Sequence, residues 1–206
     1  MPGQYTGNGL SRDQLLRRAA LAGGTVALPS SLLAVLPSRA DAAAPSDNDL
    51  AYLRLLVAAE LLAADVHARA LGSAKLSRRS KAVIKKMAAD ERAHYARLAR
   101  LLTAAGQPAA TARDIDFSYP EGSFASQPSI LKLAAEIELL VLGAYVGAIQ
   151  NVEAAESRLP LGQIAANEAQ HAAALAALRG HAVIGRAFAP ALQIDEASAA
   201  LGRFES

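Results

Sequence analysis

With 206 residues, 52% hydrophobic but only 4% aromatic, the chain can bury a sizeable core, and its Ala- and Leu-rich composition favours helices over strands. It has no cysteine, which excludes disulfide frameworks, thiolate metal sites and thiol nucleophiles together and leaves oxygen and imidazole as metal ligands. The pI near 9.0 hints at nucleic acid only until the charges are located: residues 1–42 hold four basic and two acidic groups, and the rest carries 17 of each, so no nucleic-acid partner is expected.

Residues 1–42 read as a secretory signal. A polar start leads through Arg12, Arg17 and Arg18 to an apolar run, Ala19–Leu36, and then to Ala40-Asp41-Ala42, a small-x-small triplet that a signal peptidase accepts. The run contains Gly23, Gly24 and Pro29 and lacks the length and apolarity of a good membrane span. The stretch Ser11–Arg17 resembles a twin-arginine export signal whose second Arg is replaced by Asp13, and Arg17-Arg18 supplies an intact pair a little later. Read this way, the mature protein lies outside the cytoplasm, in a periplasm, cell envelope or medium, and meets a membrane only through this segment. An uncleaved anchor and a core helix are the competing readings.

After a linker, residues 43–47, the pattern is helical from about Asn48 to Leu71, with the inward stripe Leu53, Leu56, Glu60, Ala64, His67, Leu71 and a stop at Gly72. A second helix runs from about Ser80 to Ala105, with the stripe Ile84, Met87, Glu91, His94, Leu98, Leu101, and ends at Gly106 and Pro108. Residues 107–129 have no helical period, and a crossover between two helix pairs accounts for a loop of that length. The third helix, Ile130 to about Glu156, carries Leu131, Ala134, Glu138, Val141, Tyr145, Ile149 and Val152. The fourth, from about Pro160 to Arg179, carries Leu161, Ile164, Glu168, His171, Leu175 and Leu178 and stops at Gly180. Residues 181–206 form a tail with a short helix near Asp195 to Leu201.

Each stripe contains one glutamate near its middle: Glu60, Glu91, Glu138 and Glu168. Asp65, Glu136, Glu153 and Glu156 are read as solvated. A buried, unpaired carboxylate costs several kcal/mol and four together repel, so an apolar bundle does not contain them without compensation. Two divalent cations would neutralise four carboxylates. Glu91-Arg92-Ala93-His94 and Glu168-Ala169-Gln170-His171 each put an oxygen and a nitrogen on one helix face, one turn apart. With 10 Glu and 4 His in the chain, about 0.2 such pairs are expected by chance. The order also repeats: Glu60 to Glu91 is 31 residues, Glu138 to Glu168 is 30, and seven residues after each first glutamate stands a polar ring, His67 or Tyr145. A duplicated helix hairpin with a pseudo-twofold site between its halves explains this arrangement.

These segments resemble the ferritin-like superfamily of carboxylate-bridged dimetal proteins, and more narrowly the exported ferritin-like domain proteins of bacteria. The match lies in Ala89–His94, Glu138 through Tyr145 and Glu168–Ala172, within residues 48–180. The resemblance implies an all-α, ferritin-like four-helix bundle with one long crossover between helices 2 and 3. It implies that Glu91 and Glu168 bridge two metals, that Glu60 and Glu138 each bind one, and that His94 and His171 are the nitrogen ligands. It pairs Asp90 with His171 and Asn167 with His94 behind the ligands, the neutral Asn167 leaving His94 the less basic ring. His67 is either a further nitrogen near the site or a core histidine satisfied by a neighbour.

Oxygen and imidazole ligands suit two divalent ions, iron first and manganese as the alternative, with O₂ or peroxide as the reacting partner. An Fe(II)-oxidising or peroxide-reducing dimetal protein is the leading reading; a helical structural or stress-protection protein that turns nothing over is the second. A DNA-protecting role rests only on the run Lys75, Arg78, Arg79, Lys81, Lys85, Lys86, whose ordinary reading is a solvated helix start. A zinc protease is excluded because Asp90 and Asn167, not His, precede the motif glutamates. Metal identity, assembly into homo-oligomers or a storage shell, and the reductant are not legible. N-terminal sequencing of exported protein is expected to find Ala43 first; a mature chain beginning at Met1 would reject the signal reading.

Overall fold

The structure is a computed structural model and describes residues 45–206; the signal segment read from the sequence lies outside the described residues. The described chain forms α1 (Asp47–Gly72), α2 (Arg78–Ala104), α3 (Gln127–Asn151), α4 (Ala155–Leu178), α5 (Ile194–Leu201) and a 3₁₀ turn, Gly202–Phe204. Among the described residues the only β-type pairing is an isolated bridge between Phe117 and Glu205, so the fold is all-α. Two hairpins, α1–α2 and α3–α4, pack with α1 against α3 and α2 against α4, which leaves α2 and α3 on one diagonal.

Local sequence sets most helix starts. Ser46, Ser77 and Ser126 are N-caps whose hydroxyls accept from the backbone N–H of Asp49, Ser80 and Ser129. Ser126 and Ser129 form a reciprocal capping box, and Pro128 sits in the first turn, where its missing N–H costs nothing. The second hairpin departs from the sequence reading. The third helix ends at Asn151 rather than near Glu156, and the fourth starts at Ala155, so that Pro160 and Glu156 both lie within it. The cause is tertiary. Asp49, buried in the first turn of α1, accepts from the N–H groups of Glu153 (2.7 Å) and Ala154 (2.9 Å), while the Arg158 guanidinium donates to Val152 O. The connection between α3 and α4 is thus capped by a side chain about a hundred residues away in sequence.

The crossover is held to the bundle by polar anchors. Tyr95 donates to Ala110 O, Tyr119 donates to Asp65, and Arg69 bonds both Asp65 and Phe117 O. Asp65 is therefore a partly buried tether rather than a solvated acid. Residues 181–190 are exposed, but the remainder of the tail docks: Leu192 N–H donates to Gly143 O, and Ala197, Leu201 and Phe204 are buried. That docking explains two glycines. A Cβ on Gly143 would meet Leu192 Cγ at 2.9 Å, and one on Gly147 would fall 1.8 Å from Leu192 O.

Gly147→Ala is expected to destabilise the fold by about 1–3 kcal/mol through overpacking. Gly162→Ala, inside α4 with open space around it, is expected to stabilise by about 0.5–1 kcal/mol. Urea unfolding of the two variants, read by helical circular dichroism, checks both signs.

Candidate metal centre

All four main helices send polar side chains to one point. Glu60 and His67 come from α1, Glu91 and His94 from α2, Glu138 and Tyr145 from α3, and Glu168 and His171 from α4. Spacings of three residues on α2 and α4 and of seven, about two turns, on α1 and α3 keep each pair on the inner face of its helix. The four carboxylates are fully buried, and the three imidazoles and the phenol nearly so.

The side chains fall into two overlapping groups: Glu60, Glu91, His94 and Glu168 in one, Glu91, Glu138, Glu168 and His171 in the other. In each group one ligand atom per residue lies within 4.8 Å of all the others. His94 Nδ1 is 2.8 Å from Glu168 Oε1, 3.3 Å from Glu91 Oε2 and 3.5 Å from Glu60 Oε2. His171 Nδ1 is 3.1 Å from Glu91 Oε1, 3.3 Å from Glu138 Oε2 and 3.4 Å from Glu168 Oε2. Glu91 and Glu168 therefore offer one oxygen to each group. On the far side of each ring, His94 Nε2 meets Asn167 Oδ1 at 3.0 Å, and His171 Nε2 meets Asp90 Oδ2 at 3.3 Å. With Nε2–H donating outward, Nδ1 of each ring faces the carboxylates, donating to them while protonated and free to offer a lone pair to a cation once that proton is lost.

The residues fit divalent cations on two counts. Five of the eight carboxylate oxygens, Glu60 Oε2, Glu91 Oε1, Glu138 Oε1 and both of Glu168, are buried with an imidazole nitrogen 2.8–3.5 Å away but no well-aligned hydrogen bond, and His67 Nδ1 also lacks one. Each such atom costs about 1–3 kcal/mol unless something binds it. Neighbouring ligands around an octahedral cation with bonds of about 2.1 Å lie about 3.0 Å apart. The nitrogen–oxygen separations of 2.8–3.5 Å are of that size.

Without a cation, protons hold the cluster together. Burial pushes Glu60 well above the carboxylate range, and it pushes Glu168 up to about 7. Burial also opposes ionisation of Glu138 and Glu91, but hydrogen bonds from the imidazoles outweigh it and leave both below the usual range. For His94, burial disfavours the cation, yet Glu168, Glu60 and Glu91 outweigh it and push the ring up to about 12. His171 is raised in the same way, by Glu138, Glu168 and Glu91 against burial.

Behind these groups the two halves differ. Tyr145 donates to Glu60 Oε1, whereas the matching ring, His67, has Nε2 3.1 Å from Glu138 Oε1 and Nδ1 3.7 Å from Glu91 Oε1. Each ring thus crosses to the first glutamate of the other half. Asp90 is held below its usual range because Lys86 and His171 outweigh the effect of its burial. The Lys86–Asp90 ion pair was not read from the sequence, although its i, i+4 spacing on α2 signals it.

A sign follows for the metal-free protein. A carboxylate whose folded pKa is raised costs stability as pH climbs from its unfolded value to its folded one. For Glu168 that window runs from 4.5 to about 7. Glu168→Gln removes this cost, so between pH 4.5 and 7 the stability of the chelator-treated variant is expected to gain on wild type by up to about 3 kcal/mol. Urea unfolding of both proteins at the two pH values measures the gain; an equal gap at both ends would reject the assignment.

A family profile described as a ferritin-like domain matches residues 48–181, and no curated protein matches the chain. The matched stretch contains all ten side chains of the cluster and its surroundings, from Glu60 to His171, and on that match the chain belongs to the ferritin-like domain family.

Proposed function

We propose that the protein binds two divalent metal ions, iron or manganese, at this cluster and couples them to the oxidation of Fe(II) or the reduction of O₂ or peroxide. One observation carries the reading: two ligand groups overlap through Glu91 and Glu168 in a buried cluster where most carboxylate oxygens lack a well-aligned hydrogen bond. Glu60 and His94 would complete one metal position, Glu138 and His171 the other. Bound there, two such metals supply one electron each, the pair that converts O₂ to peroxide or peroxide to water.

The chain's own groups set the conditions. Asp90 and Asn167 fix the ring orientation and tautomer of His171 and His94, and the charge on Asp90 makes His171 the stronger donor, so the two positions are inequivalent. His67 and Tyr145 orient Glu138 and Glu60. The site excludes bulk water, since every ligand is buried. His94, His171 and Glu168 hold protons that metal binding expels, so uptake releases acid and strengthens as pH rises. The signal read in residues 1–42 would place this chemistry outside the cytoplasm.

A helical structural or stress-protection protein that turns nothing over is the second reading. It is favoured by the imidazole–carboxylate contacts, which can hold the cluster together with protons alone.

Purified protein is expected to carry about two equivalents of iron or manganese per chain, as two ions per four carboxylates require. Given Fe(II) in air, it should oxidise the iron faster than buffer. Glu91→Ala removes a residue common to both groups, and should abolish binding and oxidation while circular dichroism shows the helices intact. Metal content at the level of that variant in wild type would leave the structural reading standing.

A further inference from the structure

The equal count of basic and acidic residues beyond residue 42 conceals an uneven surface. Five of the 17 acids, Asp49, Glu60, Glu91, Glu138 and Glu168, are buried, so the surface presents 17 cations against 12 acids. The excess is concentrated on α2. That helix carries Arg78, Arg79, Lys81, Lys85, Lys86, Arg92, Arg97 and Arg100, all exposed, and its acids are Asp90 and the buried Glu91. Among the described residues only Lys86 of these eight has an acid within ion-pair distance.

At 100° per residue, the eight cations occupy an arc of about 160°, opposite the buried stripe, and extend over about 33 Å of helix. The residues between them are Ala82, Ala89, Ala93 and Ala96. The face therefore has no large apolar side chain to enter acyl chains, no aromatic ring to stack on a base, and no amide to read a base edge. What it offers is charge spread along a straight line. A flat anionic surface can meet the whole length at once, whereas the phosphate ridges of a duplex curve away from a straight helix.

We propose that the outer face of α2 docks on the anionic headgroups of a lipid bilayer, without insertion. The attraction is electrostatic, so it depends on lipid charge and is screened by salt. The surface is distinct from the metal cluster, which opens on the inner face of the same helix. No described helix is long and apolar enough to cross a membrane, so contact of the bundle is peripheral.

The chain contains five lysines, and this makes the test site-specific. Lys81, Lys85 and Lys86 lie on the proposed face, Lys75 just precedes it, and Lys132 is exposed on the diagonal helix α3. The full-length protein is labelled with an amine-reactive ester and the rate at each lysine is read by mass spectrometry. Vesicles of equimolar phosphatidylglycerol and phosphatidylcholine are expected to slow Lys81, Lys85 and Lys86 about 5-fold or more and to leave Lys132 unchanged. Neutral phosphatidylcholine vesicles, or salt of about 1 M, which shortens the screening length to about 3 Å, should abolish the protection. Arg79→Glu with Arg97→Glu should abolish it too, while reversal of the exposed Arg113 and Arg186, which alters net charge equally, should not. Equal slowing at Lys132, or no slowing on α2, overturns the proposal. Protection of the α2 lysines by duplex DNA but not by vesicles overturns it in favour of a nucleic acid.

Discussion

Four carboxylates are packed into the middle of an otherwise apolar bundle, and the remaining features of the structure follow from the need to keep them there. Glu60, Glu91, Glu138 and Glu168 come one from each helix, so without compensation their mutual repulsion would oppose packing at the level they share. The bundle answers with Leu, Ile, Val and Met above and below that level, including Leu56, Ile84, Met87, Val141 and Leu175, and with imidazoles inside it. His94 and His171 each lie close to three of the four carboxylates, which makes them the mobile-charge carriers of the cluster.

Much of this was legible in the sequence because helices impose a period. A glutamate falling in phase with leucines on each of four segments is a local, countable departure from an apolar stripe, and the 31- and 30-residue spacings tied the four into two like halves. Chemistry that acts along one helix could be read too, as the spacing of Glu91 and His94 shows. What escaped was chemistry that acts between distant segments. Nothing near Pro160 announces that Asp49 will cap the turn before it, so the start of α4 fell five residues late and the end of α3 overran its true stop. Nor does an exposed-looking tail announce that the carbonyl of Leu192 will settle against Gly147. The partition of acids between core and surface was likewise hidden in the overall charge balance, although the same four glutamates account for most of it.

The two halves are similar in backbone and different in the groups behind the cluster. Phenol faces imidazole across the pseudo-twofold, Tyr145 against His67, and carboxylate faces amide, Asp90 against Asn167. Both differences favour the same side. His67 approaches Glu138 and Asp90 polarises His171, and Glu138 and His171 belong to one ligand group. The opposite group, around Glu60 and His94, has only neutral supports. A duplicated hairpin has thereby become a pair of unequal positions without any change to the glutamates that define them.

The seam made by Asp49 also ties the two hairpins into one unit. The first hairpin carries Glu60, Glu91 and His94, and the second Glu138, Glu168 and His171. The turn of the second hairpin takes two of its backbone partners from Asp49 of the first, so its polar groups are satisfied against the first rather than alone. The four carboxylates meet only where the two hairpins are joined. Each ligand group draws on both hairpins, so the cluster is whole only where they join, and the turn that Asp49 completes and the cluster depend on one and the same junction.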